Sequence, residues 1–253
     1  MRLVRFRSGS RIATGSLSDG FVRPLRGTFF EDPVPTGEEI PAADVRLLAP
    51  VIPSKVVCVG KNYLEHAEEM GGQVPEEPII FVKPSTAVVG PGDPIARPTW
   101  AGRVDHEGEL GIVIGRLARD VKTEQAGQVI LGYTCGNDVT ARELQAKDGQ
   151  WTRAKGFDTF CPLGPWVETE LDAGDVAVEC RVNGEVRQSA RTSQLAFGPG
   201  ELIEFVTSVM TLLPGDVILT GTPAGVGPLV PGDRVEVEVE GIGVLENEVV
   251  DRA

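Results

Sequence analysis

Glycine and proline punctuate the chain throughout and separate a series of short apolar runs. Among 253 residues there are 31 glycines and 19 prolines. Short apolar runs bounded by turn formers are typical of β-strands rather than of long helices. The runs at 56–59, 79–82 and 110–114 each predict a buried strand. We therefore expect a fold that is mainly β with few helices (α+β).

Two hairpins and two helices have clearer local signals. Residues 179–188 centre on Asn183-Gly184, a pair that favours a type I′ hairpin turn. Residues 235–240 alternate valine and glutamate, which predicts a strand with the valines facing the core. An apolar stripe with helical spacing predicts a helix over 201–213, and a shorter helix is expected around 63–70.

The length of the chain fits one large domain, or one domain with a small appendage. A proline-rich stretch at 33–53 is the best candidate for a boundary. We expect residues 1–50 to form a small N-terminal strand-and-turn unit and residues 51–253 to form the main domain.

The charge of the chain argues against two classes of partner. Lys and Arg number 24 while Asp and Glu number 37, so the formal net charge is −13. A strongly acidic protein has no general attraction for phosphate backbones or anionic lipids, so neither nucleic acid nor a membrane surface is an expected partner. The N-terminus lacks a signal peptide's apolar stretch, and no apolar run approaches the roughly 18 residues of a membrane span. We therefore expect a soluble cytoplasmic protein whose four scattered cysteines are free buried thiols.

Three carboxylates lie at alternate positions in residues 104–114. On a strand, Asp105, Glu107 and Glu109 would share one face, where their charges repel each other. A bound cation would relieve that repulsion, and hard oxygen ligands in a chain with only two histidines favour Mg²⁺, Mn²⁺ or Ca²⁺ over zinc. The alternative is a solvated strand face, as we interpret Glu236 and Glu238.

Two further polar clusters are candidate parts of the same site. Asp138 follows a strand-like run and is placed to be a ligand, although capping a helix N-terminus is the alternative. His66 and Glu69 are three residues apart and share a helix face. A carboxylate beside an imidazole fixes its tautomer and raises its basicity, as a water-activating base requires. The alternative is an ordinary surface pair.

Lys155 and the glycine-rich segment at 219–227 are weaker candidates. Lys155 precedes a glycine and would supply positive charge to an anionic substrate, or would simply be a solvated lysine. The segment does not match a nucleotide phosphate loop, yet its backbone amides and Thr222 could hold a carboxylate.

Taken in order, these motifs resemble those of the fumarylacetoacetate hydrolase family. The resemblance covers about four-fifths of the chain, from about residue 50 to the C-terminus. The matching motifs are Gly-Lys-Asn-Tyr at 60–63 with His66 and Glu69, Phe-Val-Lys-Pro at 81–84, Asp-His-Glu-Gly-Glu-Leu at 105–110, residues 136–145, Lys-Gly-Phe-Asp at 155–158 and Leu-Thr-Gly-Thr-Pro at 219–223.

The resemblance implies a mixed β-sandwich roll, a catalytic domain over 51–253, a homodimer and one divalent metal. Mg²⁺ is the expected ion, with Mn²⁺ or Ca²⁺ as alternatives. The implied metal ligands are Glu107, Glu109 and Asp138. The implied catalytic residues are His66, Glu69 and Lys155, with His66 and Glu69 on a lid that orders when substrate binds. The implied substrate-binding residues are Lys61, Tyr63, Arg142, Gln145 and Thr222. Lys61 replaces the arginine of many members and lacks the planar fork that grips a carboxylate.

The resemblance also implies a small 2-oxo or enol acid as substrate, within the family's acylpyruvase and hydroxymuconate isomerase-like branch. A metal that binds a 2-oxo acid stabilises an enolate, which serves three reactions. Hydrolysis of an acylpyruvate such as fumarylpyruvate is the leading hypothesis, because the pair His66 and Glu69 suits activation of water. The alternatives are isomerisation of 2-hydroxyhepta-2,4-diene-1,7-dioate and oxaloacetate-type decarboxylation in aromatic catabolism. A non-catalytic oxo-acid-binding protein is a further alternative.

Overall fold

The computed structural model describes residues 1–31 and 33–252, and within them the chain is mostly β-strand with few helices. The strands are β1 (Arg2–Ser8), β2 (Arg11–Ser18), β3 (Phe21–Arg26), β4 (Val34–Pro35), β5 (Ile40–Pro41), β6 (Arg46–Leu48), β7 (Lys55–Gly60), β8 (Ile79–Pro84), β9 (Val88–Val89), β10 (Ile95–Pro98), β11 (Val104–His106), β12 (Gly108–Ile114), β13 (Ile130–Asn137), β14 (Thr140–Ala141), β15 (Cys161–Glu168), β16 (Ala177–Val182), β17 (Glu185–Arg191), β18 (Val217–Leu219), β19 (Gly227–Pro228), β20 (Arg234–Val239) and β21 (Gly243–Arg252). The α-helices are α1 (Leu64–Glu69), α2 (Arg142–Asp148), α3 (Thr152–Lys155) and α4 (Pro199–Val209). Short 3₁₀ turns cover Ala42–Asp44, Ser85–Ala87, Thr123–Gln128 and Thr192–Gln194. The predicted mainly β fold is confirmed.

Two sheets pack face to face and form a sandwich. The larger sheet has the strand order β4-β3-β2-β1-β15-β13-β12-β18-β7-β8, and the smaller has the order β10-β21-β20-β16-β17. β7 runs parallel to β18, while β12 runs antiparallel to both β13 and β18, so the large sheet is mixed. The main core lies between the two sheets, where Leu110 and Cys135 of the large sheet meet Cys180 and Val237 of the small one.

Helix α4 covers the opposite face of the large sheet. Leu202, Ile203 and Val206 are buried against Ile112 of β12 and Ile218 of β18. The helix ends four residues before the predicted end at 213. At that point the chain extends so that Leu212 pairs with Ala118 in an isolated bridge, and this tertiary pairing ends the helix.

The predicted hairpin and the alternating strand are both confirmed. Asn183 and Gly184 connect β16 to β17 with φ angles of 54° and 80°, as a type I′ turn requires. In β20 the three valines are about 1% exposed, and the intervening glutamates are only half-buried. The four cysteines are free and buried, as predicted.

The N-terminal strands extend the large sheet. β1 pairs with β15, where Leu3 is opposite Val167, and with both β2 and β6. The division of the chain near residue 50 stays a prediction. Within the described residues, none of the helices has the length and apolar character needed to cross a membrane.

Candidate active site

One cavity of about 650 Å³ brings most of the predicted site residues together. It opens at the end of β7 and is bordered by α1, α2, the start of β12 and the segment after β18. Its lining includes Lys61, His66, Glu69, Glu107, Glu109, Arg142, Gln145, Lys155 and Thr222. The two other predicted residues are buried beside it: Asp138 lies against Glu107 and Glu109, and Tyr63 is 3% exposed.

Three buried carboxylates form the centre of the site. Glu107, Glu109 and Asp138 each place an oxygen within 4.8 Å of the others, and none is more than 4% exposed. The antiparallel pairing of β12 with β13 brings them together, and next to the paired strands Asp138 donates its backbone N–H to the carbonyl of Glu107 (2.9 Å). Asp138 does not cap a helix, since α2 begins only at Arg142. Three converging carboxylate oxygens fit a hard divalent cation such as Mg²⁺, Mn²⁺ or Ca²⁺.

Asp105 lines the same cavity as Glu107 and Glu109, as the shared face predicts, but it is not part of the group that could hold a metal. The strand is interrupted at Glu107. Its backbone N–H donates to the side-chain oxygen of Asn137 at 3.0 Å instead of to a backbone carbonyl of a neighbouring strand. Asp105 consequently lies in a third sheet, of strand order β14-β11-β19, and is held by two guanidinium groups. Arg103 binds it with both Nε (2.7 Å) and Nη2 (3.0 Å), and Arg142 binds it through Nε (2.8 Å).

Two buried lysines neutralise part of the charge of Glu107, Glu109 and Asp138, the three carboxylates that we call the metal-ligand group. Lys155 ends α3, and its Nζ donates to Glu107 (2.9 Å), Asp138 (2.6 Å) and the hydroxyl of Thr140 (2.8 Å), so it is not a solvated lysine. Lys83 is fully buried, and its Nζ contacts Asp138 Oδ1 and the carbonyl of Val139 (3.2 Å). Sequence reasoning gave Lys83 no role, although a lysine within the apolar strand β8 was an available signal.

The pKa values of the two glutamates move in opposite directions. Burial raises the pKa of Glu107, but the charges of Lys155 and Arg142 outweigh it and hold that pKa well below the usual range. Burial and the neighbouring charges of Asp138 and Glu107 raise the pKa of Glu109 well above the usual range. The backbone N–H of Gly221 donates to Glu109 at 2.7 Å. Glu109 is thus the carboxylate of the three whose negative charge has the least compensation from the protein.

The predicted pair of His66 and Glu69 faces the same cavity. His66 Nδ1 lies 3.0 Å from Glu69 Oε2 on α1, and His66 is 6% exposed, so it is not a surface histidine. The second carboxylate oxygen of Glu69 accepts a hydrogen bond from the backbone N–H of Gly225 (3.1 Å). With Nδ1–H donated to Glu69, His66 keeps the lone pair of Nε2 for proton transfer.

The remaining predicted residues differ in how free their polar groups are. Arg142 Nη1 donates to Gln145 (3.1 Å), whereas Nη2 lies 2.7 Å from Glu107 without the alignment of a hydrogen bond. The hydroxyl of Thr222 donates to the carbonyl of Gly108 (2.9 Å) and accepts from a neighbouring amide, so protein partners already engage it. Lys61 lines the cavity at the end of β7 with a left-handed φ of 57°.

Sequence reasoning also missed the rim and the apolar wall of the cavity. Arg103 lies at the rim with its side chain 52% exposed. Phe81 and Trp151 form the wall, with their rings edge to face at 5.2 Å. These residues come from separate parts of the chain, so no local pattern connects them.

The chain matches two family models. The family model for the fumarylacetoacetate (FAA) hydrolase C-terminal domain matches residues 55–250, and a model named Rv2993c-like, N-terminal matches residues 1–50. The chain belongs to the fumarylacetoacetate hydrolase family.

Three similar proteins have informative names. The structure of 5-carboxymethyl-2-hydroxymuconate delta-isomerase from Mycobacterium smegmatis has a TM-score of 0.94 and 54% identity over 100% of both chains. The mitochondrial oxaloacetate tautomerase Fahd2a of Rattus norvegicus is 44% identical over 83% of this chain and 71% of its own length. The structure of maleylpyruvate hydrolase from Sphingobium sp. SYK-6, in complex with manganese(II) and pyruvate, has a TM-score of 0.85 and 31% identity over 100% of both chains. Members of this family are enzymes, and the named reactions include isomerisation, tautomerisation and hydrolysis.

Proposed function

We propose that this protein is a divalent-metal-dependent enzyme that converts a small 2-oxo dicarboxylic acid through its enolate. The reaction we favour is a proton shift at carbon, either keto–enol tautomerisation or double-bond isomerisation. The observation that carries the proposal is that one cavity holds both the proton-transfer pair His66 and Glu69 and the carboxylates of the metal-ligand group.

The charge of the site favours a substrate with two negative charges. Four carboxylates and four cationic side chains lie in one group, in which Glu109 has no ion pair among the described residues, and their formal charges cancel when Glu109 is ionised. The members are Asp105, Glu107, Glu109 and Asp138 on one side and Lys83, Arg103, Arg142 and Lys155 on the other. A divalent ion adds two positive charges, which a dicarboxylate or an enolate with one carboxylate would balance.

The chain's own residues supply binding and proton transfer. When bound, Mg²⁺ or Mn²⁺ at Glu107, Glu109 and Asp138 would stabilise negative charge on the 2-oxo oxygen. His66 would take a proton from the carbon next to the oxo group, and its contact with Glu69 supports this role by fixing the tautomer. Arg142 lines the cavity beside Glu107, to which its Nη2 lies 2.7 Å away, and its guanidinium would also attract a substrate carboxylate.

The relatives support a proton shift over hydrolysis. The relatives named as an isomerase and a tautomerase are 54% and 44% identical, and the maleylpyruvate hydrolase is 31% identical. The pair His66 and Glu69, which led the sequence analysis to favour hydrolysis, serves proton removal from carbon as well as from water. Hydrolysis of an acylpyruvate is the second candidate, supported by that same pair. We also propose the homodimer that the family resemblance implies, and light scattering at micromolar concentration tests it.

Three substrates distinguish the candidate reactions. Metal-stripped protein, with and without Mg²⁺ or Mn²⁺, is assayed on enol-oxaloacetate, on 2-hydroxyhepta-2,4-diene-1,7-dioate and on acetylpyruvate. We expect metal-dependent loss of enol or diene absorbance without release of a cleaved product. His66→Asn is expected to lose about 10²–10⁴-fold of this activity.

A matched control lies on the same helix. Glu69→Gln is expected to lose activity, whereas Glu65→Gln, at an exposed position of α1, should retain it. Faster cleavage of acetylpyruvate than turnover of either other substrate would favour the second candidate. Absence of metal-dependent turnover of all three would refute both.

A further inference from the structure

A buried glutamine from the small sheet reaches the metal-ligand group. Gln188 lies on the edge strand β17 and is 1% exposed. Its Oε1 accepts hydrogen bonds from the backbone N–H of Gly108 (2.9 Å) and from His106 Nδ1 (3.1 Å). Its Nε2 donates to the hydroxyl of Thr222 and to the carbonyl of Pro223, both at 2.7 Å. Both oxygen lone pairs and both amide hydrogens are therefore used.

The partners of Gln188 flank the proposed metal ligands. His106 and Gly108 are the residues on either side of Glu107, and Gly108 directly precedes Glu109. The strand is interrupted here, so the amide of Gln188 supplies the acceptor for the Gly108 N–H that a neighbouring strand would otherwise provide.

A closed ring of hydrogen bonds connects this strand break to the glycine-rich segment. Gly108 donates to Gln188, Gln188 donates to Thr222, and Thr222 donates back to the carbonyl of Gly108. The residue before Thr222 is Gly221, whose N–H binds the carboxylate of Glu109. Gln188 thus fixes both the backbone that carries Glu109 and the donor that orients its carboxylate.

We propose that Gln188 is a positioning residue for the metal-ligand carboxylates. This inference rests on the proposed metal site and assigns to the small sheet a part in holding it. Only a primary amide offers two acceptor positions and two donors in this geometry, because a carboxylate cannot donate to Pro223 and an apolar side chain makes none of the bonds. Residues that orient metal ligands typically contribute about 10–100-fold to metal affinity.

The experiment compares two buried amides of the small sheet. Gln188→Leu removes the ring, while Asn247→Leu removes an amide of β21 that donates to the carbonyls of Gly90 (2.9 Å) and Asp93 (2.8 Å), which do not line the cavity. Both variants leave buried carbonyls without a donor, so both are expected to lower the melting temperature. Mn²⁺ affinity is measured on each metal-stripped protein from free Mn²⁺ in electron paramagnetic resonance titrations.

We expect Gln188→Leu to weaken Mn²⁺ binding by about 10–100-fold and Asn247→Leu to bind Mn²⁺ as the wild type does. Gln188→Met, whose unbranched side chain is closer in shape to glutamine, gives the same comparison if the leucine variant does not fold. Wild-type Mn²⁺ affinity in the folded Gln188 variant would overturn the inference and leave the proposed function standing. A wild-type protein that binds no Mn²⁺, or a Glu109→Gln variant that binds it unchanged, would overturn the proposed metal site and the inference together.

Discussion

Replacing Lys83 by methionine tests whether the carboxylates need their buried cations. Lys83 is 0% exposed and neutralises Asp138, so Lys83→Met leaves the carboxylate with Lys155 as its remaining cationic contact. Removing one partner of a buried ion pair costs about 3–5 kcal/mol when the other charge is left without compensation. Because Lys155 still contacts Asp138, we expect the lower end of this range, about 3 kcal/mol. For a chain of this size each kcal/mol lowers the melting temperature by about 2–4 °C, so we expect a decrease of about 6–12 °C.

Added metal should reverse much of this loss. A cation that binds only the folded protein stabilises it in proportion to its affinity, and removal of the competing Lys83 charge should strengthen Mn²⁺ binding at Asp138. We therefore expect Mn²⁺ to raise the melting temperature of Lys83→Met by more than that of the wild type. Calorimetry of metal-stripped and Mn²⁺-loaded protein measures both shifts.

A surface lysine provides the control. Lys122 pairs with Glu204 at 2.9 Å, but its side chain is 68% exposed. Lys122→Met should leave the melting temperature nearly unchanged with or without Mn²⁺, since exposed ion pairs contribute little. A metal-free Lys83→Met variant as stable as the wild type would contradict this prediction. So would Mn²⁺ that stabilises the variant less than it stabilises the wild type.

Three further changes test separate parts of the structure. Burial raises the pKa of Asp216, but hydrogen bonds from Leu213, Lys55 and Ser54 outweigh it and lower that pKa below its usual value. Asp216→Asn should therefore cost about 1–3 kcal/mol at pH 7, and urea unfolding should show the difference shrinking as the pH falls through the lowered pKa and Asp216 becomes protonated. Arg103→Met should raise KM for a 2-oxo dicarboxylate by about 10-fold or more and leave KM for a 2-oxo monocarboxylate unchanged; equal effects on both would exclude a rim contact with the second carboxylate. Gly225→Ala places a Cβ 2.0 Å from the carbonyl oxygen of Arg187 at a φ of 97°, so the backbone that donates to Glu69 must shift. We expect kcat/KM to fall by about 10²-fold, and unchanged kcat/KM would show that Gly225 does not orient the pair.

Local sequence patterns predicted strands and turns better than they predicted which distant segments pair with each other. The Asn183-Gly184 turn and the alternation in β20 depend on neighbouring residues, and both formed as predicted. The end of α4 was predicted wrongly because pairing between Leu212 and Ala118, which are 94 positions apart, decides it. A pattern read along the chain contains no information about such pairing.

In the candidate site, too, sequence motifs identified single residues but not the distant residues that contact them. Motif order identified Glu107 and Asp138, but their balancing lysine, Lys83, is 55 positions from Asp138. Gln188 is 80 positions from Gly108 and belongs to a different sheet. In its own strand Gln188 is an ordinary polar residue at the end of a predicted hairpin, and only the packing of the two sheets turns its amide toward the ligands.

The charge balance of the four carboxylates and four cationic side chains in the site also bears on how metal and substrate would bind. Asp105, Glu107 and Asp138 each contact a cationic side chain. Within the part of the chain that the structure describes Glu109 contacts none, so the formal charges cancel only when Glu109 is ionised. A divalent ion alone adds two positive charges to this group, and a dianion alone adds two negative ones. Each therefore removes the imbalance that the other creates, so their binding should be mutually favourable by the same factor in both directions, about 5–150-fold for a typical coupling. We therefore expect the cavity to bind metal and dianionic substrate together more tightly than it binds either one alone.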